Sequence, residues 1–124
     1  LLKYRGLTER IIGLAIDVHR TLGPGLLESV YAECLADELQ IAGIPCRREV
    51  AIPNVYKGRQ FEKGFRADLV VDETVIVEVK ALTVLAPIHD AQLLTYLRMS
   101  GLRVGLIFNF NVPRLVDGMR RRIV

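Results

Sequence analysis

Two acidic residues and a lysine stand out because of where they fall. Glu78 and Lys80 lie in the otherwise apolar run Val75-Ile76-Val77-Glu78-Val79-Lys80, and residues two apart on a strand share a face. The two charges therefore point the same way, while Val79 points into the core. Charges set into such a strand are costly to bury without partners. A divalent cation together with a phosphate would compensate them. Asp68 lies on the neighbouring strand, and its face depends on the connection at Asp72-Glu73-Thr74. A two-residue loop would set Asp68 opposite Val77, on the wrong side of the sheet. A three-residue loop sets it opposite Glu78 and sets Arg66 opposite Lys80. The three-residue register is expected, because it brings the two carboxylates to ~5 Å at the Cβ level. Acids that close repel unless a cation lies between them, and hard, oxygen-seeking Mg²⁺ suits such a pair. On spacing alone the same trio also reads as an ion-pair cluster on a solvated sheet face, and both readings stand at this point.

The elements that must carry these residues follow from periodicity. Leu7, Ile11, Ile12, Ala15, Ile16 and Val18 form a helical stripe, which predicts a first helix from about Glu9 to Thr21 with Thr8 as its N-cap. Gly23-Pro24-Gly25 breaks the chain. A second helix is expected from about Leu27 to Ala42, on the stripe Leu27, Val30, Tyr31, Cys34, Leu35, Leu39 and Ala42, and Gly43 stops it. The pattern then turns to period two. Arg48 to Pro53, Phe65 to Val71 and Val75 to Val79 read as strands, the first two joined by a hairpin turn at Tyr56-Lys57-Gly58-Arg59. Pro87 precedes a third helix, about His89 to Met99, closed by Gly101. Val104 to Phe110 is a buried apolar strand, and Arg120 to Val124 could add a short last one. The order is two helices, three strands, a helix and a strand, with the tail as one more strand. It implies an α/β or α+β sandwich, a sheet with helices packed on its faces.

A chain of 124 residues fits one domain spanning 1–124. With 51% hydrophobic and 25% charged residues the composition is that of a soluble globular protein. No apolar run approaches the ~18 residues that span a bilayer, and no leader is read into the first residues, which open on Leu1. The formal charge of +3 permits a nucleic-acid partner without requiring one. Arg103, Arg114, Arg120, Arg121 and Arg122 crowd the C-terminal quarter, and Arg120-Arg121-Arg122 reads equally as a solvated chain end or a phosphate contact. Two cysteines outside any C-x-x-C pair, with two histidines, argue against a zinc site. Cys34 reads as a small core residue and a reducing cytoplasm as the expected compartment, with a Cys34–Cys46 disulfide left open.

Asp68, nine intervening residues and then Glu78-Val79-Lys80 resemble the core motif of the PD-(D/E)XK nuclease superfamily. More narrowly, Gly25-Leu26-Leu27-Glu28-Ser29-Val30-Tyr31 resembles the pattern that names its GxxExxY family. Val18-His19-Arg20-Thr21-Leu22-Gly23-Pro24-Gly25, Gln92-Leu93-Leu94-Thr95-Tyr96-Leu97 and Gly105-Leu106-Ile107-Phe108-Asn109-Phe110 extend the likeness from about Glu9 to Ile123. The short D…ExK motif is weakly specific; the whole set in this order is strongly so. The resemblance implies a restriction-endonuclease-like mixed central sheet flanked by helices, with a metal site at one end. It implies a Mg²⁺-dependent nuclease, with Mn²⁺ a substitute, that hydrolyses phosphodiester bonds of nucleic acid, DNA being the expected substrate. Asp68 and Glu78 would be metal ligands, and Lys80 would orient or activate the attacking water and steady charge on the scissile phosphate. Glu28 matches a helical acid that some branches add to the site, and Gln92 and Tyr96 match a motif that lies near it in exonuclease-like branches. The superfamily's nominal proline before the aspartate is Ala67 here.

The assignments also have a direct chemical rationale. Phosphodiester oxygens repel a nucleophile, and a metal ion neutralises that charge and lowers the pKa of bound water. Lys80 supplies a compact positive charge where the phosphorus centre gathers negative charge. Glu28 could reach the ion through a water, or could cap or salt-bridge a neighbour. Gln92 reads otherwise as an exposed helix residue, Tyr96 as an amphipathic core residue, His19 as a structural histidine with an accessory site role as the alternative, and His89 as a surface residue. A catalytically silent nucleic-acid-binding or assembly module on the same fold is the competing function, although a decayed site tends to lose at least one of its charges. A third class is a dimerisation domain, favoured if Leu106, Phe108 and Phe110 present an exposed face, and a homodimer is compatible with either of the others. Aromatic residues make up 6% of the chain, so no single-strand stacking platform is evident.

Overall fold

A computed structural model describes residues 2–124. Helices α1 (Leu2–Leu22) and α2 (Glu28–Ile41) lead into strands β1 (Cys46–Tyr56), β2 (Arg59–Val71) and β3 (Val75–Lys80). Helix α3 (Pro87–Ser100), strand β4 (Val104–Asn109), a 3₁₀ turn (Leu115–Gly118) and strand β5 (Met119–Ile123) complete the chain. The strands form one mixed sheet in the order β1-β2-β3-β4-β5. β3 and β4 are parallel and the other neighbours antiparallel. The α+β architecture expected from the pattern is present, and the tail is a true edge strand.

The helices form two layers. Ile11, Ala15, Tyr31, Leu35 and Leu39 from α1 and α2 pack with Val75, Val77 and Val79 of β3 and Leu106 and Phe108 of β4. Leu93, Tyr96 and Leu97 from α3 pack on the opposite face, against Ile76 and Ile107. This explains why β3 and β4 read as continuous apolar runs rather than alternating ones: both faces are covered. Leu106, Phe108 and Phe110 are at most 1% exposed, so they present no surface for a second copy. They are core.

Local chemistry sets the boundaries. Helix α1 begins well before its expected start, and Thr8 is not a cap. It lies inside the helix, fully buried, with its hydroxyl donating to the Arg5 carbonyl at 3.0 Å, a back-bond that a mid-helix threonine makes when its turn faces the core. The β1–β2 turn places Lys57 at φ 48° and Gly58 at φ 79°, the two positive dihedrals that a tight hairpin matching strand twist demands. Val71 pairs with Val75, so the connection between them is the three-residue loop expected. Cys34 and Cys46 are both free thiols. No helix among the described residues is long and apolar enough to cross a membrane.

Candidate active site

The three-residue connection sets the β2–β3 register: Val71 faces Val75, Val70 faces Ile76 and Leu69 faces Val77. One step further would place Asp68 opposite Glu78, but the ladder stops there. Side chains take over from main chain. The Asp68 N–H donates to Glu78 Oε2 at 2.9 Å, and the Val79 N–H donates to Asp68 Oδ2 at 2.7 Å. The two strands thus part in a fork with one acid on each prong. Arg66 and Lys80 do not face each other as the continued ladder would require. Arg66 pairs with Ala51 on β1 and donates to the Glu49 carbonyl at 3.2 Å, while Lys80 pairs with Asn109 on β4. The expectation of that pair fails because the strands separate at the acids.

Strand alternation also breaks at this level. Leu69 and Val71 pack beneath α1 and α2, whereas Ala67 packs beneath α3, although residues two apart normally share a face. On β1 the same reversal separates Cys46 from Val50 and Ile52, and between them Glu49 holds a left-handed φ of 50°. Asp68 is the pivot residue of β2, which lets its carboxylate reach across to the main chain of β3.

Glu78 is 5% exposed, which removes the solvated-face reading. It has the parity of Ile76 and so lies on the α3 side. Burial, then the charge of Asp68, pushes its carboxyl up to about 8, with Lys80 a smaller opposing influence. An acid pair in that condition requires either a proton or a cation. One oxygen of each carboxylate is used by a backbone N–H. Among the described residues no N–H donates to Asp68 Oδ1 or Glu78 Oε1, the two carboxyl groups are close enough to share a proton, and Lys80 has no acid within ion-pair distance. Two hard oxygens without an N–H donor, beside an ammonium that none of the described acids pairs, fit a divalent cation and a phosphate better than a closed salt bridge. Among the described residues, however, no three acidic, histidine or cysteine side chains converge as a ready-made cage, so water or substrate oxygens must complete any coordination.

The remaining expected residues are distributed around the fork. Glu28, the first residue of α2, accepts from the Ala81 N–H at 3.1 Å and shares with Asp68 and Val79 a cleft of about 300 Å³ also lined by Arg48 and Glu49. A larger concavity, about 570 Å³ between α2 and the start of β1, holds none of the trio. Tyr31 explains the spacing of the Gly25–Tyr31 motif. Three residues after Glu28 it points inward, stacks on Phe110 with centroids 4.4 Å apart, donates to the Gly23 carbonyl at 2.5 Å and accepts from Leu26 N–H at 3.1 Å. It therefore fixes the loop that delivers Glu28. Tyr96, on the α3 side, is 9% exposed. Burial raises its hydroxyl pKa, and Glu78 and Asp68 add to the rise, so it lies within electrostatic reach of the acids. Gln92, one turn earlier, is half-buried.

His19 is a structural residue by its contacts: it is 7% exposed and Nε2 donates to the Val112 carbonyl at 2.8 Å. His89 is half-buried rather than a free surface group, and its Nδ1 accepts the Ala86 N–H at 2.9 Å at the start of α3. Arg122 forms an ion pair with Asp90 at 2.7 Å, so the arginine cluster of β5 is partly neutralised. Sequence reasoning missed Asn109. It is 2% exposed, accepts from the N–H groups of Leu82 and Asn111 and donates to the Leu82 carbonyl, holding the segment that follows Lys80. Its signal was present: a lone amide in an apolar strand must have a partner.

Comparison with known proteins gives one family match. The model of the PD-(D/E)XK nuclease superfamily covers residues 5–122. No curated protein and no solved structure matches the chain.

Proposed function

Because the chain belongs to the PD-(D/E)XK nuclease superfamily, we propose that the Asp68–Glu78 fork is the catalytic centre of a Mg²⁺-dependent nuclease acting on DNA, with Mn²⁺ able to substitute. The observation that carries this reading is the buried acid pair. Each carboxylate is oriented by a main-chain N–H, each keeps one oxygen without an N–H donor, and Lys80, two residues beyond Glu78, has no ion-pair partner among the described residues. The narrower GxxExxY branch is supported by Gly25 through Tyr31, whose glutamate lines the cleft and whose tyrosine anchors the loop before it.

Asp68 Oδ1 and Glu78 Oε1 would hold the cation, and Glu28 would reach it through a water from the α2 side. When bound, such an ion supplies charge neutralisation at the phosphate and a water of lowered pKa. The protein does the rest. The two N–H bonds keep both carboxylates from rotating away, so little reorganisation is needed when substrate arrives. The Lys80 ammonium sits on the same prong as Glu78, where it stabilises negative charge gathering on the phosphate oxygens. Tyr96, and Gln92 a turn before it, bound the α3 side of the fork and orient the substrate. An inert binding module would have no use for acids whose burial is this costly.

The test is hydrolysis of labelled single- and double-stranded DNA and RNA with Mg²⁺, Mn²⁺ or EDTA. Metal-dependent cleavage that falls at least ~100-fold in Asp68→Asn and in Lys80→Ala is expected, from the usual weight of one charged group in a catalytic site. Cleavage that survives in both variants, or in EDTA, would remove the proposal.

A further inference from the structure

The β1–β2 hairpin is longer than the sheet needs. β3 pairs with β2 only from Leu69 to Val71, whereas β1 pairs with β2 out to Tyr56 and Arg59. Beyond Asp68 the two strands run on as a two-stranded ribbon. Its base is packed: Ile52 is buried, and Phe65 lies against Tyr96 with centroids 4.9 Å apart. Its outer part is free, with Val55 49% and Tyr56 59% exposed. Between base and tip the register shifts at Ile52/Asn54, and Gly64 adopts φ 140°, a bulge of the kind that bends a strand pair and re-aims its end.

The charge distribution singles out the same segment. Residues 50–66 contain Lys57, Arg59, Lys63 and Arg66 against Glu62 alone, a net +3 that equals the formal charge of the whole chain and leaves the remainder neutral. Among the described residues, Lys57, Arg59 and Arg66 have no acid within ion-pair distance, unlike Arg5, Arg47 and Arg122. Lys57 Nζ lies 5.4 Å from the Tyr56 ring centroid and Arg59 Cζ 4.5 Å from that of Phe61. These contacts stiffen the cations without neutralising them. They also cover one face of each ring, so the ribbon is poorly suited to stacking unpaired bases.

We propose that the outer β1–β2 ribbon is a groove-binding arm for double-stranded DNA, which delivers the duplex to the fork at its base. The proposal rests on the nuclease reading above and names its substrate class. A two-stranded ribbon fits the ~12 Å major groove of B-form DNA, whereas the deep, narrow major groove of A-form RNA excludes it. Lys57 and Arg59 at the tip and Arg66 near the base meet phosphates, and Tyr56, paired across the ribbon with Arg59, faces the groove. From the level of Asp68 to the turn the ribbon spans eight or nine residues, ~25 Å at ~3.3 Å per residue. That is less than one turn of duplex, so arm and fork engage the same segment of DNA.

The experiment measures binding of a 20-base-pair DNA duplex, the matching single strand and an RNA duplex by fluorescence anisotropy, in EDTA across a salt series. The wild type is compared with Lys57→Ala/Arg59→Ala, with the charge-preserving Lys57→Arg/Arg59→Lys, and with Arg5→Ala/Arg10→Ala on α1 as a charge-matched control. Each lost phosphate contact lowers the salt slope by ~0.9, so the arm variant should bind duplex DNA roughly 10- to 100-fold more weakly near 0.1 M salt with a slope smaller by ~2. The charge-preserving variant should retain wild-type affinity, and the α1 control should change it by less than about threefold. Equal weakening by the α1 control, an unchanged slope in the arm variant, or an equal loss on single strands or RNA duplex would overturn the proposal. Arm-dependent duplex binding by a protein that cleaves nothing in Mg²⁺ would leave the arm standing and remove the nuclease reading instead.

Discussion

Replacing Glu78 by glutamine should make the metal-free protein more stable at neutral and alkaline pH. Glu78 is 5% exposed and its carboxyl is pushed from 4.5 up to about 8 by burial and by Asp68. The folded protein therefore holds this proton more tightly than the unfolded chain does. Stability from the group is fully present below about pH 4.5 and is lost as pH rises through about 8. At ~1.4 kcal/mol per pKa unit the loss amounts to roughly 3–5 kcal/mol, or about 10–20 °C in Tm for a domain of this size. Glutamine keeps an oxygen for the Asp68 N–H and presents an amide to the Asp68 carboxylate, so it imitates the protonated acid at every pH. Thermal unfolding in EDTA between pH 5 and 9 should show the wild type losing stability relative to Glu78→Gln, with the difference opening across that range. Mg²⁺ at ~100 times its dissociation constant should return ~2.7 kcal/mol to the wild type at pH 8 and much less to the variant. Parallel stability curves for the two proteins in EDTA would show that the acids are not held together under strain, and the reasoning would fail.

Other perturbations test the surrounding architecture. A methyl group added at Gly105 would lie 2.6 Å from Leu93 Cδ1, so Gly105→Ala should destabilise by ~1–3 kcal/mol, and chemical denaturation of the double variant with Leu93→Ala should show a loss smaller than the sum of the two. Tyr31→Phe removes a donor to Gly23 and an acceptor for Leu26; it should cost about 1–2 kcal/mol and lower nuclease activity by more than the unfolded fraction explains, because Glu28 loses its fixed loop. Asn109→Leu leaves the Leu82 amide without its partners and should destabilise by ~2–4 kcal/mol, read as a shift in the urea midpoint.

Much of the fold was legible because it is written in local signals. Gly43 and Gly101 end their helices where expected, Lys57-Gly58 forms the hairpin turn, and the apolar run of Val75 to Val79 locates the central strand. The part of α1 before Glu9 was not, since Thr8 imitates a cap while lying inside the helix. The trio of Asp68, Glu78 and Lys80 follows from charge set in an apolar strand. The fork does not, because the ladder ends where side chains replace main-chain partners, and a rule of strand pairing carries no term for that. The involvement of Glu49 and Arg48 in the cleft was equally hidden: it depends on a left-handed residue that no glycine or asparagine announces. His89 and Asn109 serve positions set by tertiary contacts, and only their polarity hinted at it.

The reversal of facing at Glu49 and Asp68 has a consequence for which lengths of chain can vary. Inward of this point residues of even number on β1 and odd number on β2 face α1 and α2, and outward of it residues of the same parity face α3. A single residue inserted on either prong between the reversal and the packed base at Ile52 and Phe65 would turn one half inside out, burying what was wet and wetting what was dry. Only past the bulge, where Asn54 and Phe61 pair beyond reach of either layer, can the chain lengthen or shorten without disturbing the acids. Relatives that work on different substrates are expected to differ there and to be uniform below it.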